Sequence, residues 1–304
     1  MVKSMNAAIA GLKSHQTKMD VLSNNIANVN TWGFKSRTTN FQDALYSNSI
    51  SGSAGATENG KLGGINTSQI GYGNTVSSIS TNFSTGSRQY TGNPLDCMID
   101  GTAFFIVGPF RGQNGNATAV EVGKIGESGL FLSRVGIFQP DSNGYLVDNT
   151  GNYVYGFAAK ADGSFDVTGG LVPIQIPEDK TAGGGARLSI QTWTIGTDGT
   201  VVGVDDKNVP HTIGKIAVAS VENPSGLEQN NGYLYKIGAN AGTVKGMETT
   251  SATGTIQSNF LEMSNVDLAS DIATMITTQR GYQANTKIIT VTDEMLEQLV
   301  NMKR

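Results

Sequence analysis

The two ends of this chain are patterned unlike its middle, and that contrast limits the folds open to it. From Val2 to about Asn30 there is no proline and a single glycine, Gly11. Met5, Ala8, Leu12, Met19, Leu22, Ile26 and Val29 fall at alternating spacings of three and four, with His15 in the remaining slot. That is the stripe of one helix face in heptad register. At about 1.5 Å per residue the helix would be roughly 40 Å long. Ile9 and Val21 lie off the stripe and point to a second contact surface. Thr31-Trp32-Gly33 ends the helix, because Gly33 can take a positive φ. At the other end, Ser264 with Asp267 three residues on reads as a capping-box-like start. Leu268, Met275, Tyr282, Ile289 and Leu296 then recur every seven residues, and Ile272, Ile276, Ile288, Met295, Leu299 and Met302 broaden the stripe. Asp267 and Asp271 near the helix start, and Lys303 and Arg304 at its end, complement the macrodipole.

The middle has the period of strands. Runs at 103–107, 130–138, 145–147, 153–158, 171–176, 188–195, 201–204, 215–221 and 233–237 are separated by turn signals such as Asp141-Ser-Asn-Gly144, Asp162-Gly163 and Asp198-Gly199. Residues 48–75 are rich in Ser, Gly and Asn and read as a loop or linker, and Ala182 to Gly185 as a loop tip. The expected fold is therefore α+β: long N- and C-terminal helices forming a coiled-coil-like pair, around a central antiparallel all-β domain. Residues 1–32 with 265–304 make the helical part, 33–75 with 250–264 an extended linker, and 76–249 the β body. Helices that pair with each other bury one face each. The apolar residues left over predict association with other copies, and tails that fold on assembly.

Composition removes several function classes. Charged residues are 15%, below the ~25% usual for globular chains, and the net charge is −4, so no basic footprint for nucleic acid exists. No run of 18 apolar residues spans a membrane, and the first residues lack the apolar core of a signal peptide, which alone would point to the cytosol. A single cysteine, Cys97, forbids an internal disulfide and reads as a buried thiol. The two histidines, His15 and His211, lie in different segments, and no HExxH, GxSxG or CxxC motif occurs. No catalytic, cofactor-binding or metal residues are expected.

Three features imitate chemistry. Gly55 to Lys61 fits GxxxxGK, but Leu62 stands where magnesium binding needs Ser or Thr, and Gly63-Gly64 follows where a helix should start. The segments 141–144 and 148–151 resemble calcium-loop fragments but lack the spaced carboxylates and closing Glu, so hairpin turns explain them better. Lys35 and Arg37 are too few for nucleic acid and read as solvated or inter-subunit charges. Trp32 and Phe34 read as a local apolar clasp, or as a subunit contact.

The segment Leu22 to Lys35, with Asn28, Val29, Asn30, Thr31, Gly33, Phe34 and Lys35 at its heart, resembles the N-terminal signature of bacterial flagellar rod and hook proteins. Ser264–Leu268, Thr278–Asn285 and Thr292–Leu296 resemble their C-terminal signature. Gly92–Gly101 with Phe104–Val107, and Asn223–Leu227 through Asn231–Tyr235, resemble the segments that enter and leave the family's β domain. The resemblance implies a structural, non-enzymatic axial subunit without cofactors. It implies export through the flagellar type III apparatus with no cleaved signal peptide, and a place in the hook or basal body outside the cytoplasm. Its terminal helices would line a tube, with Met5, Leu12, Met19, Leu22, Ile26, Val29, Leu268, Ile272, Met275, Tyr282, Ile289, Leu296 and Leu299 at the assembly interface. The implied partners are other copies in a helical tubular polymer, the distal rod, hook cap and hook–filament junction proteins, and the export apparatus. Tyr282-Gln-Ala-Asn285 and the end Leu299–Arg304 look hook-like, which implies a flexible joint transmitting torque from motor to filament. The alternative is the distal rod, a drive shaft, because 160–215 leaves no room for the extra outer domain of hook proteins. A remote alternative, a surface adhesin, suits the glycine-rich hairpins but not the amphipathic ends, and polysaccharide binding would discriminate it.

Overall fold

The computed structural model describes residues 2–52, 64–113, 116–117, 119–159, 165, 170–176, 190–249 and 253–302. The GxxxxGK stretch, the 182–185 loop tip, the Asp162-Gly163 turn and the Lys303-Arg304 end lie outside them. The chain forms two compact units. The first comprises Met1–Val29, Ser36–Asn82 and Val266–Arg304, and the second Asn30–Lys35 and Phe83–Asn265.

In the first unit α1 (Val2–Ala27) and α2 (Leu268–Asn301) run antiparallel. Gly11 lies against Asn285, His15 against Gly281, and Asn25 against Asp271, so the register steps evenly along both helices. The start of α2 is set three residues later than the capping-box reading. Asp267 is its N-cap, and the carboxylate accepts from Ala269 N–H at 3.0 Å and Ser270 N–H at 3.4 Å. This satisfies amide donors that have no partner in the first turn.

Much of the expected linker is strand. β1 (Arg37–Asp43) pairs with β4 (Asn74–Thr81), and β2 (Tyr46–Ile50) pairs with β3 (Ser68–Gly71), all antiparallel. The rungs are polar: Thr38 with Ser80 at 3.0 Å, Asn40 with Ser78 at 3.2 Å, and Gln69 with Asn48 at 2.8 Å. Hydroxyl and amide pairs across strands can stabilise a ladder without apolar alternation, so a search for apolar period two passes over these strands. The ribbon β1–β4 lies on α1. Gly73, at φ 106°, brings its backbone so close to Ala7 that a Cβ would stand 3.0 Å from the Ala7 carbonyl oxygen.

The second unit is an antiparallel β structure in which 13 strands join into one sheet among the described residues. At its centre is β7 (Phe104–Gly108), reached from β5 (Arg88–Tyr90) and β6 (Cys97–Asp100). β7 pairs with 131–133 on one side, and with 153–158 and 218–221 in succession on the other. Both of its faces are covered. Phe105 and Val107 enter one apolar cluster with Cys97, Phe138, Val154 and Ile216, while Phe104 and Ile106 enter another with Leu130, Tyr155, Phe157 and Leu171. A strand buried on both sides reads as a continuous apolar run, which is what Phe104–Val107 shows. The turns behave as expected. Gly144 (φ 72°), Gly151 (φ 83°) and Gly199 (φ 81°) close hairpins, and Asp148 accepts from Thr150 N–H at 2.8 Å. Residues 255–258 and 260–262, expected as linker, pair with β6 and β5.

Cys97 is fully buried, and desolvation, reinforced by Asp96, pushes its thiol far above the ordinary range. It should resist alkylation in the folded protein. Phe105→Ala should lower the stability of the second unit by about 3–5 kcal/mol, read as a lower denaturation midpoint and faster Cys97 labelling in sub-denaturing urea.

Candidate assembly surface

Placed on the two helices, the stripes divide. On α1, Leu22 is buried, as is Ala8, while Met5, Leu12, Met19 and Ile26, with Val29 just beyond the helix end, are half-buried. On α2, Met275, Tyr282, Ile289 and Leu296 are half-buried, but Leu268, Ile272 and Leu299 are exposed. Protected positions of α2 include Asp271, Met275, Thr278, Tyr282, Asn285, Ile289, Thr292 and Leu296, with Thr274 and Gly281 beside them, so polar and small residues share this face with apolar ones. Thr278 and Thr292 are the two buried residues of α2, and their hydroxyls donate to the carbonyls of Thr274 and Ile288, both at 2.7 Å. Bonding back to its own helix lets Thr face a neighbour without stranding a donor.

Small and polar residues complete the seam. A Cβ on Gly11 would stand 2.7 Å from Asn285 Nδ2, and one on Gly281 2.9 Å from His15 Cε1. The lack of a side chain at Gly281 makes room for the imidazole. Asn25 is 2% exposed and acts as a three-way staple. Its Nδ2 donates to the Arg37 carbonyl at 2.9 Å and to Asp271 Oδ2 at 3.2 Å, and its Oδ1 accepts from Arg37 N–H at 3.0 Å. One amide thus joins α1, β1 and α2. His15 stands edge-on to Phe41 with centroids 5.8 Å apart, and its Nδ1 is buried without a hydrogen-bond partner. Burial, with the Lys18 cation nearby, holds the imidazole below its ordinary 6.5.

The apolar residues absent from the seam face outward. Leu268, Ile272, Ile276, Ile288, Val291, Met295, Leu299 and Met302 are all exposed and run along the length of α2. Elsewhere in the unit, α1 and β4 enclose a groove of about 410 Å³, lined by Asn6, Ile9, Ala10, Lys13, Thr75 and Val76 among others. Ile9, expected to mark a second contact surface, is in its wall.

The motif after α1 enters the second unit. Asn28 and Val29 are half-buried, Asn30 and Thr31 exposed, and Phe34 half-buried, whereas Gly33 and Lys35 are buried. Gly33 takes φ 64°, and its N–H donates to the Glu262 carbonyl at 2.8 Å. A Cβ there would meet Val135 Cγ2 at 2.8 Å, so both space and conformation require glycine. Lys35 corrects the reading of a solvated charge. It is 2% exposed and its Nζ lies 2.7 Å from Glu262 Oε1. Burial depresses its pKa, Glu262 opposes that shift, and the Arg134 guanidinium adds to it. Among the described residues, no group of three His, Cys, Asp or Glu side chains is placed to hold a metal, and no helix is long and apolar enough to cross a membrane.

Residues 5–35 match the family described as flagella basal body rod protein, and 257–302 match the C-terminal family of flagellar basal body rod FlgEFG proteins. The chain is 38% identical to the flagellar basal-body rod protein FlgG of Bacillus subtilis over 307 positions, which cover 100% of both chains. It is 26% identical to the flagellar hook protein FlgE of Borreliella burgdorferi over 461 positions, again spanning both chains in full. Against the hook protein FlgE of Treponema pallidum it is 38% identical over 148 positions, 49% of this chain and 28% of that one.

The seam can be probed at two residues. Asn25→Ala leaves backbone partners of a buried amide unmatched, and should cost about 1–3 kcal/mol, read as earlier loss of helical circular dichroism on heating. His15 sets a pH dependence. Because its folded pKa is lowered, the unfolded chain takes up the proton first, so the stability is complete above about pH 6.5 and declines as pH falls below it. His15→Gln should flatten the helical melting temperature between pH 7 and 5.5, and an unchanged slope would assign the effect to other groups.

Proposed function

The chain belongs to the flagellar rod and hook family, structural proteins that polymerise into the axis of the flagellum, and from that premise we propose that it is a distal rod subunit, part of the drive shaft, rather than a hook subunit. The observation that carries this reading is length. The match to the rod protein runs end to end over 307 positions, whereas the match to the longer hook protein needs 461 aligned positions for the same 304 residues. The end-to-end match to a rod protein supports the reading that 160–215 leaves no room for an additional outer domain. The hook-like residues Tyr282-Gln-Ala-Asn285 lose weight, because Asn285 lies against Gly11 of α1 and Tyr282 is half-buried within the chain, so intramolecular packing can account for them. The stretch of 38% identity to a hook protein covers half of this chain and is what keeps the hook as the second reading.

In this reading α1 and α2 already pair within the single chain as a strut, in place of tails that fold only on assembly, and the interface residues have two roles. Met275, Tyr282, Ile289, Leu296, Leu22 and their neighbours hold the strut together. Leu268, Ile272, Ile276, Ile288, Val291, Met295 and Leu299 meet other copies in the tube. An apolar stripe of that length left in water favours association, and a repeated heterologous contact that does not close builds a helical polymer. The partners are then other copies of this chain and the axial proteins at each end of the segment. Export would use the flagellar type III route.

Electron microscopy of basal bodies from a deletion strain tests the assignment. A rod cut short at its distal segment is expected, and a complete rod lacking only the hook would overturn it in favour of hook. Polymerisation tests the interface. Ile276→Asp combined with Leu299→Asp should abolish tube formation while the monomer keeps its helical signal and slow Cys97 labelling. Normal tubes from that variant would remove the outer stripe from the interface.

A further inference from the structure

The chain passes between its two units four times, at 29–30, 35–36, 82–83 and 265–266. Within the second unit, the segments that begin or end these passages are tied around one carboxylate. Glu262 Oε1 accepts from Lys35 Nζ at 2.7 Å and from Gly86 N–H at 2.8 Å. The Glu262 carbonyl accepts from Gly33 N–H at 2.8 Å. Lys35 Nζ donates again to the Ser84 carbonyl at 2.8 Å, and Asn265 Nδ2 donates to the same carbonyl at 3.2 Å and to Ser84 Oγ at 3.1 Å. Residues 30–35, 83–86 and 262–265 are thereby joined side by side. Gly86 allows the closeness, since a Cβ there would collide with the Met263 carbonyl. Arg134 backs the cluster: Nη1 lies 3.7 Å from Glu262 Oε2, Nη2 donates to the Gly101 carbonyl at 2.7 Å, and the guanidinium stands 5.1 Å from the Phe104 ring centroid.

Stability alone does not account for this arrangement. Lys35, Arg134 and Glu262 are each at most 2% exposed, and two cations face one carboxylate. Desolvating such a group cancels most of its Coulombic gain, and apolar residues of similar volume often serve stability as well. Directional bonds do give what apolar contact does not, a fixed position of each strand along its neighbours, where smooth side chains can slide.

We propose that the Lys35–Glu262–Arg134 cluster is a torsion clamp, which binds the connecting segments into one strut so that a twist applied to the helices is delivered to the β body through a single tied bundle. This rests on the torque-bearing reading above, and applies to rod and hook alike, so the deletion strain that separates those two leaves it untouched. Lys35, Glu262 and Arg134 are then positioning residues for torque transfer.

Lys35→Met is the discriminating variant. It removes the ammonium and its two bonds, keeps the apolar stem, and leaves Arg134 and Glu262 as a balanced pair. Slow Cys97 labelling is expected to persist, showing an intact β body. Amide exchange in 31–36 and 83–87 should rise about ten-fold or more, the scale of losing a hydrogen bond to a charged group. Cells carrying the variant should build flagella in normal number but turn a tethered bead more slowly than wild type at high viscous load. Unchanged exchange in those segments would overturn the clamp. So would raised exchange with wild-type rotation under load, and so would failure to assemble from folded subunits, which would make the cluster an assembly element. Should Lys35→Met accelerate Cys97 labelling, Asn265→Ala, which removes the link from Asn265 Nδ2 to Ser84, takes its place. Its exchange and rotation are measured in the same way, and the same outcomes support or overturn the clamp.

Discussion

The arrangement on which the rest of the first unit depends is the polar seam between α1 and α2. Two amphipathic helices usually turn their apolar stripes toward each other and their polar faces to water. Here Thr278, Asn285, Thr292, Asn25 and Asp271 share the inner face with half-buried Met275, Tyr282 and Ile289, and glycines 11 and 281 draw the backbones together. Hydrogen bonds such as those of Asn25 fix register and add little net stability. Apolar area is what drives association, and a large part of it is kept on the outside, on Leu268, Ile272, Ile276, Val291, Met295 and Leu299. A pair of helices built in this way is specified internally by shape and externally by hydrophobicity. That division suits a subunit whose final environment is a tube of its own kind.

The β body solves the opposite problem. It must be complete by itself, and β7 shows how. Its five residues are buried on both faces, it pairs on both edges, and its alternate side chains fill two separate apolar clusters. The sparse charge of the chain follows from the same economy. Surface turns are built from glycine, asparagine and short hydroxyl side chains, with Asp141 and Asp148 bonded to their own turns. Few cations or anions are left to repel a neighbouring copy.

Much of this was legible in the sequence because it has a period. The heptad spacing placed both helices, continuous apolar runs located β7 and 153–158, and Asp-x-x-Gly signals located the hairpins. What escaped has no period or depends on distant partners. β1 and β4 are held by Thr, Ser and Asn rungs that look like loop composition. The stripe of α2 was found whole, but no sequence pattern says which of its residues face α1. Met275 and Ile276 are adjacent and equally apolar, and only the position of α1 separates them. Asn25 and Gly281 were inside recognised signatures, yet their roles come from Arg37, Asp271 and His15, residues near in space and remote in sequence.

Lys35 is the sharpest case of that limit. Beside Arg37, after a helix end, a lysine has every local reason to be solvated. It is buried because Glu262, more than two hundred residues away, returns on strand 260–262 beside β5 and brings a carboxylate that accepts from it. The same return places Gly33 under the Glu262 carbonyl, which is why the turn after α1 needs a residue free to take φ 64° in a space without room for a Cβ. A glycine, a lysine and a glutamate that look unrelated along the chain are therefore one constraint in space. Changing any of them disturbs the bonds that hold residues 30–35, 83–86 and 262–265 side by side within the second unit.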